Sequence, residues 1–283
     1  MRNLSRFLVL SFFFISSPAL AQQRLELDNK TRLQNAMLRE GEIKVIVDYK
    51  PIDFGEGDSF EDKNLEYTLF YQGEKILDGS SFTAYQGSVF LKDLNNNGTP
   101  EVIIQTYSGG AHCCTSFMIY GWQNNQFIKT DIGFLDGGGG QFIDLDQDGD
   151  TEFITSNHAF LYQFSPYAGS FPPTMIFEYE NGELVEVTRN YPQRLEATAT
   201  RMYQAFLENK KQGYEVNGIL AGYVAQKILL GEYSEGWNFM LANYDQDYDW
   251  GLEIYKGQEK VGMYPDFPTA LGAFLIEQGY LQQ

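Results

Sequence analysis

One nine-residue pattern occurs twice in this chain, each time between two runs of β-branched and aromatic residues. The first copy lies within Phe90-Leu91-Lys92-Asp93-Leu94-Asn95-Asn96-Asn97-Gly98-Thr99-Pro100-Glu101-Val102-Ile103. The second lies within Phe142-Ile143-Asp144-Leu145-Asp146-Gln147-Asp148-Gly149-Asp150-Thr151-Glu152-Phe153-Ile154. Counted from Asp93 and from Asp144, side chains that end in oxygen fill positions 1, 3, 5 and 9, and glycine fills position 6. The two starting residues stand 51 positions apart. The repeat points to a strand–loop–strand unit used twice, with the glycine permitting a sharp turn in each copy.

The rest of the chain up to Thr188 fits that unit. From about Ile43 the pattern is mostly period two: Ile43 to Val47 and Leu65 to Tyr71 read as strands, and Gln72-Gly73 reads as a hairpin tip before Lys75 to Leu77. Asn124-Asn125 separates Phe117 to Trp122 from Gln126 to Thr130. Asn181-Gly182 separates Met175 to Glu180 from Glu183 to Thr188, a dipeptide suited to a turn with positive φ at both centres. Ala159 to Phe164 also reads as a strand, and Gly137 to Gly140 as a loop or a close backbone approach. The sum is roughly a dozen short strands, which predicts a mainly β, antiparallel body over residues 22–190.

After Tyr191-Pro192 the period changes to that of helices. Leu195, Ala199, Met202, Tyr203 and Phe206 form one face, with Gly213 where a C-terminal cap belongs. Val216, Leu220, Tyr223 and Val224 form a second stripe, and Trp237, Met240, Leu241 and Tyr244 a third. A fourth helix is predicted to start near Asp266 with Pro268 in its first turn, and to stop at Gly279. Residues 191–283 are thus read as a small helical domain of about four short helices.

The oxygen pattern is one that calcium requires. Calcium takes six to eight hard oxygen ligands, alternate positions of a tight loop point inward, and position 7 adds its backbone carbonyl. The loops are not EF-hands, since position 12 holds Ile104 or Thr155 in place of glutamate and the flanks read as strands. With a carboxylate at position 9 between strands, they resemble the calcium loops of the FG-GAP/VCBS repeats found in integrin α-subunits and in many secreted bacterial proteins. The resemblance covers about fourteen residues in each of two places. It implies calcium-stabilised β-propeller blades. Its ligands would be Asp93, Asn95, Asn97, Thr99 (carbonyl) and Glu101 in the first loop, and Asp144, Asp146, Asp148, Asp150 (carbonyl) and Glu152 in the second. A closed propeller needs at least sixteen strands, so about a dozen predict an open or partial, blade-like body. Four carboxylates against two predict tighter binding at the second loop, with both near the weak range of about 10⁻⁴–10⁻³ M. A third acidic stretch, Asp245 to Glu253, has Trp250 where the glycine belongs and reads as a solvated turn.

The two cysteines are neighbours, Cys113 and Cys114, in a loop from Ser108 that also carries His112. A vicinal disulfide, a pair of structural thiols, and metal or redox work all remain open on the sequence. The C-x-x-C spacing normal for thiol redox proteins is absent. His112 and His158 are the only histidines, and no spacing proposes a zinc site or a catalytic triad. No catalytic residue is assigned.

Residues 1–21 have the three-part layout of a signal peptide: Arg2 and Arg6, the apolar run Phe7 to Ile15, and a cleavage site ending at Ala21. Cleavage there takes the net charge from -18 to -20 and leaves no stretch long enough to span a bilayer. Such acidity excludes nucleic acid and anionic membrane surfaces as natural partners and favours cations. The sequence therefore predicts a secreted or periplasmic calcium-binding protein that serves as a binding or structural module, its protein or glycan ligand unidentified. The loops Ser108 to Cys114 and Gly137 to Gly140 are candidates for lining a ligand surface. The alternative reading is an extracellular hydrolase acting on polysaccharide, although acids outside the two loops show no pairing that would place them across a cleft.

Overall fold

The structure is a computed structural model that describes residues 24–53, 59 and 63–282; the predicted signal peptide lies outside the described residues. The body consists of three consecutive four-stranded antiparallel meanders. The first runs β2 (Leu33–Glu40), β3 (Ile43–Tyr49), β4 (Leu65–Tyr71) and β5 (Glu74–Ser81). The second runs β6 (Gln86–Lys92), β7 (Glu101–Tyr107), β8 (Cys113–Gln123) and β9 (Gln126–Asp136), with β1 (Arg24–Asp28) added antiparallel beside β6. The third runs β10 (Gln141–Ile143), β11 (Glu152–Ser156), β12 (Thr174–Glu180) and β13 (Glu183–Glu186). The hairpin tips fall where the sequence placed them. Gln72-Gly73, Asn124-Asn125 and Asn181-Gly182 all have positive φ at both residues, the mirror-image turn whose twist matches that of paired strands.

The sheets stack face to face, and the middle one is covered on both sides. Val102 and Ile104 of β7 join Val45, Val47, Leu65 and Leu69 in the core against the first sheet. Ile103, between them, points the other way into a core with Phe90, Phe117, Phe153 and Tyr179 against the third sheet. Burial on both faces explains why β7 reads Val-Ile-Ile with no alternation. Gly121 of β8 is required by the second core: a Cβ there would overlap the Tyr179 hydroxyl.

The C-terminal region holds α1 (Pro192–Gln212), α2 (Asn217–Leu229), α3 (Tyr233–Asn243) and α4 (Phe267–Glu277). Gly213 ends α1 in the left-handed conformation, with φ 75°. Asp266 caps α4 by accepting the Thr269 N–H at 2.9 Å. Every residue of α2 is buried, so α2 is the centre around which the unit packs. Tyr203 and Leu241, expected on buried stripes, are instead exposed at the rim. Between α3 and α4 lies a hairpin not anticipated from the sequence, β14 (Glu253–Lys256) and β15 (Glu259–Met263).

Residues 159–164 are not a strand. Asn157 accepts the Ala159 N–H at 3.1 Å and starts a 3₁₀ turn, His158–Phe160, followed by bends. Phe160 and Phe164 then insert into the helical core, each edge-on to Phe274. Burying two aromatic rings outweighs whatever strand propensity the segment has. No helix among the described residues is long and apolar enough to cross a membrane.

Candidate metal centre

The two acidic loops occupy equivalent places, each joining the first and second strands of its four-stranded meander: β6 to β7, and β10 to β11. The corresponding connection in the first sheet is only Gly41-Glu42, so that sheet has no room for a third copy.

Local hydrogen bonding repeats as well. The residue at position 2 donates its N–H to the position-9 glutamate in both loops: Leu94 to Glu101 Oε2 at 2.9 Å, and Leu145 to Glu152 Oε2 at 2.7 Å. The position-7 N–H reaches back to the position-5 side chain, from Thr99 to Asn97 Oδ1 at 2.8 Å and from Asp150 to Asp148 Oδ1 at 2.9 Å. Asp93 accepts the Asn97 and Gly98 N–H groups, and Asp144 accepts that of Gln147. Positive φ recurs at position 4 (Asn96, Gln147) and at position 6 (Gly98, Gly149). These side-chain-to-backbone bonds are why Asp and Asn, and not Glu or Gln, fill positions 1 and 5: only the shorter side chain reaches its own turn.

Glu101 and Glu152 begin β7 and β11 and are only 3% and 1% exposed. Burial pushes the Glu101 carboxyl up to about 7 and raises that of Glu152. A carboxylate held this far from water is costly unless a positive charge joins it. In the second loop, oxygens of Asp144, Asp146 and Glu152 lie within 4.8 Å of one another. In the first, the Asn95 side-chain oxygen is shut off from solvent and has no hydrogen-bond partner. An orphaned oxygen at position 3 and a trio of converging oxygens are what a hard cation would occupy.

The loops also touch each other. Thr151 donates its N–H to the Leu94 carbonyl at 2.8 Å, and Gly149 packs so closely on the Asn96 amide that a Cβ would overlap it. The Asp150 carboxyl is raised by burial and then by Asp148, Asp93, Asp144 and Asp146. Tyr191, a neighbour that sequence reasoning missed, precedes α1 and donates its hydroxyl to Glu178 at 3.3 Å. Its own pKa is raised by burial and then by the Glu152 charge, which places it beside the second loop. Only the Tyr191-Pro192 boundary hinted at it.

The third acidic stretch does not gather. Asp245 accepts the Asp247 N–H at 3.1 Å, while Glu253 accepts from Lys260 at 2.7 Å and from the Tyr255 hydroxyl at 3.0 Å. Cys113 and Cys114 are disulfide-bonded to each other. The glycine run and the cysteine loop, separate in sequence, come together: Gly137 donates to the His112 carbonyl at 2.6 Å, and Thr115 donates to the Gly137 carbonyl at 2.8 Å. His112 stacks on Tyr167 at 4.2 Å, and Tyr167 donates to Asp136 at 2.7 Å. His158 Nδ1 accepts the Asp136 N–H at 3.0 Å, and burial lowers its pKa, so it is held neutral by a structural bond.

Fold and site together define a three-sheet β-protein with paired acidic loops and a C-terminal helical unit. The helical part, residues 188–279, matches the family model described as the sll0997 C-terminal domain. Over 261 residues the chain is 33% identical to the "Probable thylakoid lumen protein sll0997" of Synechocystis sp., covering 88% of this chain and 76% of that protein. The chain belongs to the sll0997 family. It is also 32% identical over 192 residues to the "Uncharacterized protein y4bJ" of Sinorhizobium fredii, covering 64% of this chain and 30% of that longer protein. No solved structure matches the chain.

Proposed function

We propose that this protein works outside the cytoplasm as a binding or structural module whose β-body is held in shape by calcium at two loops, in the manner of FG-GAP/VCBS repeats. The observation that carries the reading is the convergence of Asp144, Asp146 and Glu152 oxygens in a loop whose hydrogen bonds are repeated at Asp93 to Glu101. Each cation would neutralise a buried position-9 glutamate at the start of a central strand, so metal binding and strand packing reinforce one another. The relative named as a thylakoid lumen protein and the leader-like residues 1–21 support export. A glycan hydrolase would need two carboxyls facing each other across a groove. The two most buried glutamates among the described residues, Glu101 and Glu152, instead turn into their own loops.

The test is thermal unfolding of the mature chain in calcium and in EGTA. At calcium concentrations ten to a hundred times Kd, each site contributes about 1.4–2.7 kcal/mol, about 3–5 kcal/mol for the two together, so chelation is expected to lower Tm by about 6–20 °C. An unchanged Tm removes the proposal.

A further inference from the structure

We propose that a second site, remote from the acidic loops in function, binds a neutral oligosaccharide along a strip of exposed aromatic rings. The strip begins in a recess of about 550 Å³ between the Tyr162-Gln163 bend and the β14–β15 hairpin. Three rings in that recess stand in water: Tyr162, Trp250 and Tyr255 are 49%, 42% and 57% exposed. Beyond it the row continues through the half-buried Tyr167, 5.5 Å from Tyr162, to the exposed His112. An isolated exposed aromatic needs no explanation, but a row lining one recess does, because each ring forgoes the burial that most aromatic side chains find.

The rings are held, not loose. Trp250 donates its indole N–H to the Tyr162 carbonyl at 2.8 Å, and Tyr162 donates its own N–H to Ser170 Oγ at 3.0 Å. Gly251, at φ 81°, packs so tightly on the Gln163 carbonyl that no Cβ fits. Tyr162 itself has φ 61°, an uncommon conformation for a bulky residue. The next residues in each segment, Phe164 and Leu252, are buried in the helical core and anchor the display from behind. A ligand would therefore meet a preformed surface with little ordering cost.

The polar groups decide the class of ligand. Gln163 and Asp249 offer amide and carboxylate groups at the edge of the rings. Glu253 is neutralised by Lys260 and capped by the Tyr255 hydroxyl, so it adds hydrogen-bonding capacity without free charge. Sugar rings present flat C–H faces that stack on aromatic rings, and hydroxyls that donate to carboxylates and amides. Nucleic acid and acidic glycans would meet Asp249 and a chain of net charge -18. A cationic ligand would have to compete with Lys260, which already lines the recess and pairs with Glu253. Neutral saccharide is the class left.

The experiment is isothermal titration and affinity electrophoresis of the mature chain with neutral hexasaccharides of glucose, xylose, mannose and N-acetylglucosamine, with a uronic-acid oligomer and oligolysine as charged controls. At least one neutral hexasaccharide is expected to bind, with affinity falling tenfold or more in both Trp250→Ala and Tyr255→Ala. Because Trp250 also braces Tyr162, Tyr255→Ala serves as the milder variant: it gives up only an exposed hydroxyl bond to Glu253, and its Tm is expected to match the wild type. Failure of all neutral oligomers, preference for either charged control, or binding unchanged in Tyr255→Ala would overturn the assignment.

Discussion

Replacing Glu101 with Gln separates the two forces acting on the first loop. Glu101 titrates at about 7 in the folded chain, pushed up mainly by burial, against an ordinary value of 4.5. Between those values the folded protein keeps a proton at Glu101 that the unfolded chain has already released, so without metal the contribution of Glu101 to stability is greatest below about pH 4.5 and declines as pH rises to 7. At pH 7 the decline amounts to about 3 kcal/mol. Glutamine cannot ionise, yet its carbonyl oxygen can still accept the Leu94 N–H that Glu101 Oε2 accepts now. In EGTA at pH 7, Glu101→Gln is therefore expected to be more stable than the wild type by up to about 3 kcal/mol, and nearly equal to it at pH 4.5. Calcium should reverse the order of benefit: the wild type gains from both loops, the variant from the second alone, a difference of about 1.4–2.7 kcal/mol. Urea unfolding of both proteins at several pH values, with EGTA and with calcium, measures this directly. A wild-type-minus-variant difference that does not change with pH, or equal stabilisation of both by calcium, would refute the reasoning.

Asn95→Asp, which adds a third carboxylate at the position whose oxygen is orphaned, should tighten calcium binding at the first loop and lower metal-free stability at neutral pH; titration calorimetry and melting read the two effects. Gly149→Ala meets both a φ of 103° and the Asn96 amide, so it should weaken calcium binding at both loops, whereas an effect confined to the second would deny that they are joined. Gly121→Ala, which overlaps the Tyr179 hydroxyl between the second and third sheets, should cost about 1–3 kcal/mol in urea unfolding without changing calcium stoichiometry. Converting both cysteines to serine should cost well under the ~3 kcal/mol of a disulfide closing fifteen residues, because Cys113–Cys114 cross-links no distant chain.

What was legible in the residues followed from strictly local chemistry. Asn124-Asn125 and Asn181-Gly182 marked turns because few residues tolerate positive φ, and Asp266 and Gly213 marked helix ends because the backbone there needs a cap or a left-handed residue. The paired loops were legible for the same reason: Asp93, Asp144 and their neighbours bond to their own turns. What depends on distant chain was not. Phe160 and Phe164 look like strand residues until the helical core that receives them is known. The β14–β15 hairpin is mostly exposed and so lacks the alternation by which a half-buried strand is recognised. Contact between the loops rests on the Thr151 N–H and the Leu94 carbonyl, a backbone bond that leaves no trace in side-chain identity. The aromatic row needs four separate segments, of which only the Ser108–Cys114 loop had been singled out as a ligand surface.

Calorimetric titration of calcium into the metal-free protein is the most direct measurement. Two sites are expected, the tighter one abolished by Asp146→Ala and the weaker one retained. No binding up to millimolar calcium, or binding indifferent to Asp146→Ala, would contradict the assignment of these loops to a cation.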